Sequence, residues 1–211
     1  MNDIGKSERV TQNRVVELFQ QRLDYDYLGD WSDRHGNSNI ETDVLTAYLS
    51  KAGYTPAQIS AALYQLNKEA SHPDRSLYAN NQAVYGLLRY GVQVKTEAGK
   101  PMATVRLINW EQPEKNHFAV AQEVTLKKGD ALERRPDVVL YVNGIAMGVL
   151  ELKNSRVSIG DGVRQNLSNQ QPQFNQWFFS TVQLILAGND SEGLQYGTIG
   201  TPAKYFLTWK E

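Results

Sequence analysis

Apolar residues in the first ninety positions recur at steps of three and four: Val15, Leu18, Phe19 and Leu23, then Val44, Leu45, Tyr48 and Leu49. That spacing predicts amphipathic helices with one buried stripe each. Between them the Gly, Asp, Asn and Ser of 29–39 predict a loop. Thr55, Pro56 and Gln58 combine a capping box with proline at the first helical position. A helix through Ile59, Leu63 and Leu66 is expected to follow. A further one is expected over 76–89, with Leu77, Val84, Leu87 and Leu88 on its buried side.

From Tyr90 the pattern changes to alternation. Val92 and Val94, then Val105 and Leu107, flank Gly99-Lys100-Pro101 and predict a hairpin. Strands are expected at 118–126, 137–142 and 145–152, a helix at 163–170, an apolar strand at 182–187 and a short one at 196–199. Residues 205–209 are again strand-like. No internal repeat is apparent. The order predicts an α/β fold, a sheet core with a helical N-terminal part. The expected division is 1–90, mainly helical, and 91–211, the core.

Composition narrows the classes. The 211 residues are 41% hydrophobic and 21% charged, close to soluble globular averages, so disorder is not expected. The longest apolar runs are far too short to span a bilayer, and no membrane is expected. The opening Met-Asn-Asp-Ile-Gly-Lys-Ser-Glu lacks the cationic and apolar regions of a secretory signal. Absence of cysteine excludes disulfides, thiolate metal sites and a cysteine nucleophile, and suits a cytoplasmic setting. His35, His72 and His117 lie far apart and show no zinc-ligand spacing. A net charge of -1 is not the cationic excess of a free-standing nucleic-acid binder. If the chain meets DNA, something else is expected to hold it there.

The chemistry concentrates in 135–153. Two mainly apolar strands joined at Asn143-Gly144 carry Pro136-Asp137 at one end and Glu151-Leu152-Lys153 at the other. In a hairpin those ends are neighbours, and Glu151 and Lys153, two apart, face the same side. Register decides whether Asp137 joins them. A two-residue loop in regular pairing sets Val142 against Ile145 and Asp137 against Leu150, which sends Glu151 to the wrong face. A three-residue loop, or one bulge, sets Asp137 against Glu151. We therefore expect an odd loop or a bulge, with Gly144 at positive φ. Two adjacent carboxylates repel unless a cation sits between them, and hard oxygen ligands in small number suit Mg²⁺. Asp137, Glu151 and the Leu152 carbonyl are the expected metal ligands. Lys153 would orient or activate a water, or stabilise charge on a phosphorane. The reaction class implied is phosphodiester hydrolysis.

Pro136-Asp137, thirteen residues, then Glu151-Leu152-Lys153 resembles the PD-(D/E)xK nuclease superfamily. The wider chain is similar to the N-terminal nuclease domain of the restriction subunit of type I restriction enzymes. The similarity lies in the 8–15 stretch Glu-Arg-Val-Thr-Gln-Asn-Arg-Val, in Leu88-Arg89-Tyr90-Gly91-Val92, in the hairpin, in Gly162-Val163-Arg164-Gln165-Asn166-Leu167 and in Ala187-Gly188-Asn189-Asp190. The resemblance implies a mixed sheet flanked by helices and Mg²⁺-dependent double-strand cleavage of DNA. It also implies motor domains, carrying the ATP dependence, further along the same polypeptide, and methylation and specificity subunits as partners. No G-x-x-x-x-G-K-[ST] phosphate loop occurs in the chain, so the motor is expected to lie outside it. The family carries a Gln-xxx-Tyr motif after the lysine. Gln165 matches its glutamine, which implies a catalytic contribution, whereas Asn169 stands where the family has tyrosine. Glu8 and Gln12, at i and i+4, are the expected first-helix carboxylate and amide near the metal.

Plainer readings stand beside these. Glu-Leu-Lys at a strand end is commonplace on solvated edges, and Gln165 alone fits a polar helix face. Asn189-Asp190 reads as a strand-ending turn. Trp31, Trp110, Trp177, Phe178 and Phe179 read as core or lid residues rather than a base-stacking platform. The competing functions are a stand-alone repair or junction nuclease of the same superfamily, and a catalytically silent docking module.

Overall fold

The structure is a computed structural model and describes residues 8–95, 101–130 and 132–210. Its first helix, α1 (Glu8–Leu23), leads into β1 (Asp26–Asp30). The helices α2 (Thr42–Lys51), α3 (Pro56–Ala70) and α4 (Leu77–Tyr90) follow, then a short hairpin of β2 (Val92–Val94) and β3 (Ala103–Val105). The turn expected at Gly99-Lys100 lies outside the described residues. Next come β4 (Phe118–Gln122), β5 (Val138–Val142), β6 (Ile145–Leu152), α5 (Ile159–Asn169), β7 (Leu184–Asn189), β8 (Gly193–Gly197) and β9 (Leu207–Thr208).

Seven strands form one mixed sheet in the order β1-β4-β5-β6-β7-β8-β9, parallel at β1-β4 and β6-β7 and antiparallel elsewhere. Alternation sorts its side chains. Val120, Val138, Leu140, Leu150 and Leu152 meet Val16 and Phe19 of α1 on one face. Val139, Tyr141, Val149 and Ile185 meet Phe178 and Phe179 on the other. There α5 also packs, through Ile159 and Val163 onto Ala187 of β7. This is the α/β sheet core that the pattern predicts and the mixed sheet flanked by helices that the resemblance implies, with the crossover from β6 to β7 made by α5.

The helices α2 to α4 and the β2-β3 hairpin bury a second core around Leu45, Leu49, Leu66 and Leu88, which reaches the sheet through Ile40 and Ile145 at the turn of the β5-β6 hairpin. Contacts therefore cross residue 90 in both directions: α1 and β1 pack with the sheet, and β2-β3 packs with the helices. The capping box at Thr55 and Gln58 forms as expected, with hydrogen bonds in both directions.

Several boundaries differ from the pattern, among them the strand expected at 182–187, which is observed as Leu184–Asn189. The 29–39 loop begins later, because Gly29 and Asp30 belong to β1, an edge strand whose Gly and Asp carry no apolar signal. The strand read at 118–126 ends at Gln122, since Glu123 adopts a φ of 50°. The strand expected at 196–199 is β8, which begins at Gly193, before the apolar residues that suggested it, and ends at Gly197.

Candidate active site

The β5-β6 hairpin fixes the site by its register. Val142 pairs with Ile145 across a two-residue turn in which Asn143 (φ 53°) and Gly144 (φ 83°) are both left-handed, the conformation favoured between twisted antiparallel strands. Taken alone, this turn sends Glu151 to the wrong face. The pairing then slips: Tyr141 faces Ala146 but Leu140 faces Gly148, so Met147 is an extra residue on β6. The bulge restores Val138 against Leu150 and so brings Asp137 and Glu151 level on one face. The bulge also leaves no unpaired carbonyl at Met147, which accepts the Gln183 N–H at 2.9 Å.

Asp137, Glu151 and Lys153 consequently converge where β5 begins and β6 ends. Asp137 Oδ2 accepts the backbone N–H of Leu152 at 2.6 Å. Glu151 is 0% exposed, its Oε1 accepts from Asn169 Nδ2 at 3.2 Å, and its Oε2 is buried with no donor. Lys153 Nζ lies 4.0 Å from that Oε2, 3.2 Å from Glu8 Oε1 and 3.0 Å from the Leu152 carbonyl it donates to. The carbonyl expected as a third oxygen ligand is thus engaged by the lysine.

Burial dominates the electrostatics. It pushes the Asp137 carboxyl up to about 6, against the opposing pull of the Leu152 N–H and the Lys153 ammonium. Burial first, then the facing Asp137 carboxyl, push Glu151 well above the usual carboxylate range despite Lys153. Such a pair resists holding two negative charges unless a further cation arrives.

The surrounding elements hold the pair in place. Gln12 of α1 donates to the Asp137 carbonyl at 2.6 Å, and the Glu123 N–H donates to the same oxygen at 2.9 Å. The Glu123 side chain bridges Arg9 and Arg135 at 3.2 and 2.7 Å. At α5 the absence of a side chain on Gly162 permits close packing: an added Cβ would stand 3.2 Å from the Ala187 Cβ and 3.6 Å from the Lys153 Cγ.

The structure therefore gathers Asp137, Glu151, Lys153, Glu8 and Gln12, all singled out in the sequence. Gln165, on α5, is half-buried, and its side chain makes no hydrogen bond to another described residue. Asn169, marked in the sequence only as a departure from a motif, lies against Glu151. Glu123 had no sequence signal, because a left-handed non-glycine residue at a strand end leaves no trace in composition. Asn189-Asp190 forms a turn that ties α1 down: Asn189 Oδ1 accepts the Glu192 N–H at 2.6 Å, and Asp190 binds Thr11 and Arg14. His117 pairs with Asp26, and no group of three or more His, Cys, Asp or Glu side chains that would hold a metal occurs among the described residues. No helix among them is long and apolar enough to cross a membrane.

The chain is 27% identical over 95% of its length to the type I restriction enzyme HindI endonuclease subunit of Haemophilus influenzae, of which it covers 20%. It is 26% identical over 72% of its length to a putative type I restriction enzyme MjaIXP endonuclease subunit of Methanocaldococcus jannaschii, of which it covers 15%. The chain thus spans about a fifth or less of the curated relatives it matches. The model of the type I restriction enzyme R protein N terminus matches residues 5–204, nearly the whole chain, and the protein belongs to that family.

Proposed function

We propose that this chain is the DNA-cleaving part of a type I restriction enzyme, hydrolysing phosphodiester bonds with a divalent cation, Mg²⁺, held by Asp137 and Glu151. The observation that carries the reading is the buried, facing carboxyl pair with one oxygen, Glu151 Oε2, lacking any donor beside the Lys153 ammonium. Hard oxygen donors, mutual repulsion and an unpartnered oxygen fit a small divalent cation. When bound, such an ion neutralises charge on the scissile phosphate.

The chain's own residues supply the rest. Asp137 and Glu151 hold the ion on the open end of the hairpin. Lys153, steadied by Glu8 and the Leu152 carbonyl, directs its ammonium to the reacting phosphate, where it orients the attacking water and offsets the charge that develops. Gln12 and the Glu123 N–H keep the Asp137 backbone from drifting as charge enters the site. Gln165 contributes from α5, as its motif implies. The substrate is duplex DNA, both strands of which are cut in the cytoplasm after ATP-driven translocation by motor domains of the longer subunit, with methylation and specificity subunits as partners. Near-neutral net charge fits delivery of DNA by such partners.

The test is substitution in the longer restriction subunit, assembled with its partners. Asp137→Ala, Glu151→Ala and Lys153→Ala should each lower DNA cleavage by ~10³-fold or more, about 4 kcal/mol of transition-state stabilisation. ATP hydrolysis should continue. Loss of both activities together would assign these residues to the fold instead.

A further inference from the structure

Glutamate's last torsion is soft and roughly two-fold, so burial alone does not settle which carboxylate oxygen faces a ligand. At Glu151 something outside the hairpin settles it. Asn169, the last residue of α5 and 1% exposed, donates from Nδ2 to Glu151 Oε1 at 3.2 Å. Oε2 is left without a donor, on the side where Lys153 Nζ stands 4.0 Å away.

The donor is itself anchored. Asn166, one turn earlier, donates from Nδ2 to the Leu186 carbonyl of β7 at 2.8 Å and so fastens the end of α5 to the sheet. Gln170 donates to the Asn166 carbonyl at 3.1 Å, and the Asn169 carbonyl accepts the Asn175 N–H at 3.3 Å. The Oδ1 atoms of Asn166 and Asn169 are buried without donors, an arrangement that packing alone disfavours.

We propose that Asn169 is a positioning residue for the cation site: its amide fixes the Glu151 carboxylate plane from α5 and reserves Oε2 for the metal. This role rests on the reading of Asp137 and Glu151 as metal ligands. It assigns work to the position at which the chain departs from the Gln-xxx-Tyr pattern. It also makes α5, rather than the hairpin alone, part of the metal-binding geometry. Partners that orient a ligand from behind typically change metal affinity by ~10- to 100-fold when removed.

The experiment is titration of the 211-residue chain with Mn²⁺, free ion being followed by electron paramagnetic resonance, for the wild type, Asn169→Ala, Asn169→Leu and Glu151→Gln. Asn169→Ala and Asn169→Leu should bind Mn²⁺ ~10-fold or more weakly, while the metal-free melting temperature stays within a few degrees of wild type. Wild-type affinity in either folded variant overturns the positioning role. Glu151→Gln separates the two readings. If it binds Mn²⁺ as the wild type does, the cation site itself is wrong; if it loses binding while the Asn169 variants keep it, only the positioning role falls. Should both Asn169 variants fail to fold, the side-chain NH₂ resonances of Asn169 in the wild type decide. They should move as Mg²⁺ saturates the site, and unmoved resonances at saturation overturn the proposal.

Discussion

The two ends of the β5-β6 hairpin both bury polar side chains, yet treat them in opposite ways. At the turn, Asn143 is 0% exposed and fully used: its amide donates to the Leu107 carbonyl at 2.9 Å and to Asn116 Oδ1 at 2.8 Å, and its Oδ1 accepts the His117 N–H at 2.7 Å. At the other end, Glu151 is equally buried but keeps an oxygen with no donor, beside a second carboxyl group and an asparagine that is itself half-satisfied. A closed network fixes a structure, and an incomplete one carries a cost in stability that a ligand can offset. The same two strands thus carry a joint at one end and a site at the other.

The comparison breaks first at the joint. Asn143→Ala strands three hydrogen-bonding partners and puts alanine at a φ of 53°, so it should cost about 3 kcal/mol, a fall of roughly 6–12 °C in melting temperature. Any folded protein that remains should bind Mn²⁺ with unchanged affinity. A variant that melts normally would mean the Asn143 network is not the closed joint described. Gly144→Ala should follow at about 2 kcal/mol, because the new Cβ would stand 2.8 Å from the Glu41 carbonyl at a φ of +83°. Denaturant midpoints check it, and a loss within a few tenths of a kcal/mol would show that α2 yields readily.

The site end should behave in the opposite sense. Both carboxyl groups have folded-state values raised above their unfolded ones, so folding favours their protonated forms. Their contribution to stability is therefore present at low pH and lost as pH rises, through about 6 for Asp137 and higher for Glu151. Metal-free chain should lose stability across that window. Glu151→Gln, which removes the buried charge, should melt ~2–4 °C higher at pH 8, about 1 kcal/mol, and show a flatter profile. A variant that melts lower at pH 8 would show that the ionised pair is stabilising as it stands.

Much of this was legible in the sequence because the physics was local. The 3.6-residue and two-residue periodicities gave the helices and the central strands, and parity along the hairpin demanded an insertion if Asp137 and Glu151 were to meet. Asn143-Gly144 is compatible with either an odd loop or a bulge, so the sequence does not choose between them. The structure supplies the answer at Met147, an ordinary apolar residue whose extra position depends on pairing with both β5 and the entry to β7. Asn169 and Glu123 were illegible for a related reason: their contacts are long-range, and an asparagine or glutamate looks the same in sequence whether solvated or committed. The edge strand β1 was hidden because Gly and Asp form a strand there only through the neighbouring β4.

Anomalous diffraction from crystals of the chain soaked in Mn²⁺ tests the cation site most directly. A peak between the Asp137 and Glu151 carboxyl groups, within reach of Glu151 Oε2, is the predicted result. Ordered carboxyl groups with no peak between them at saturating Mn²⁺ would contradict it.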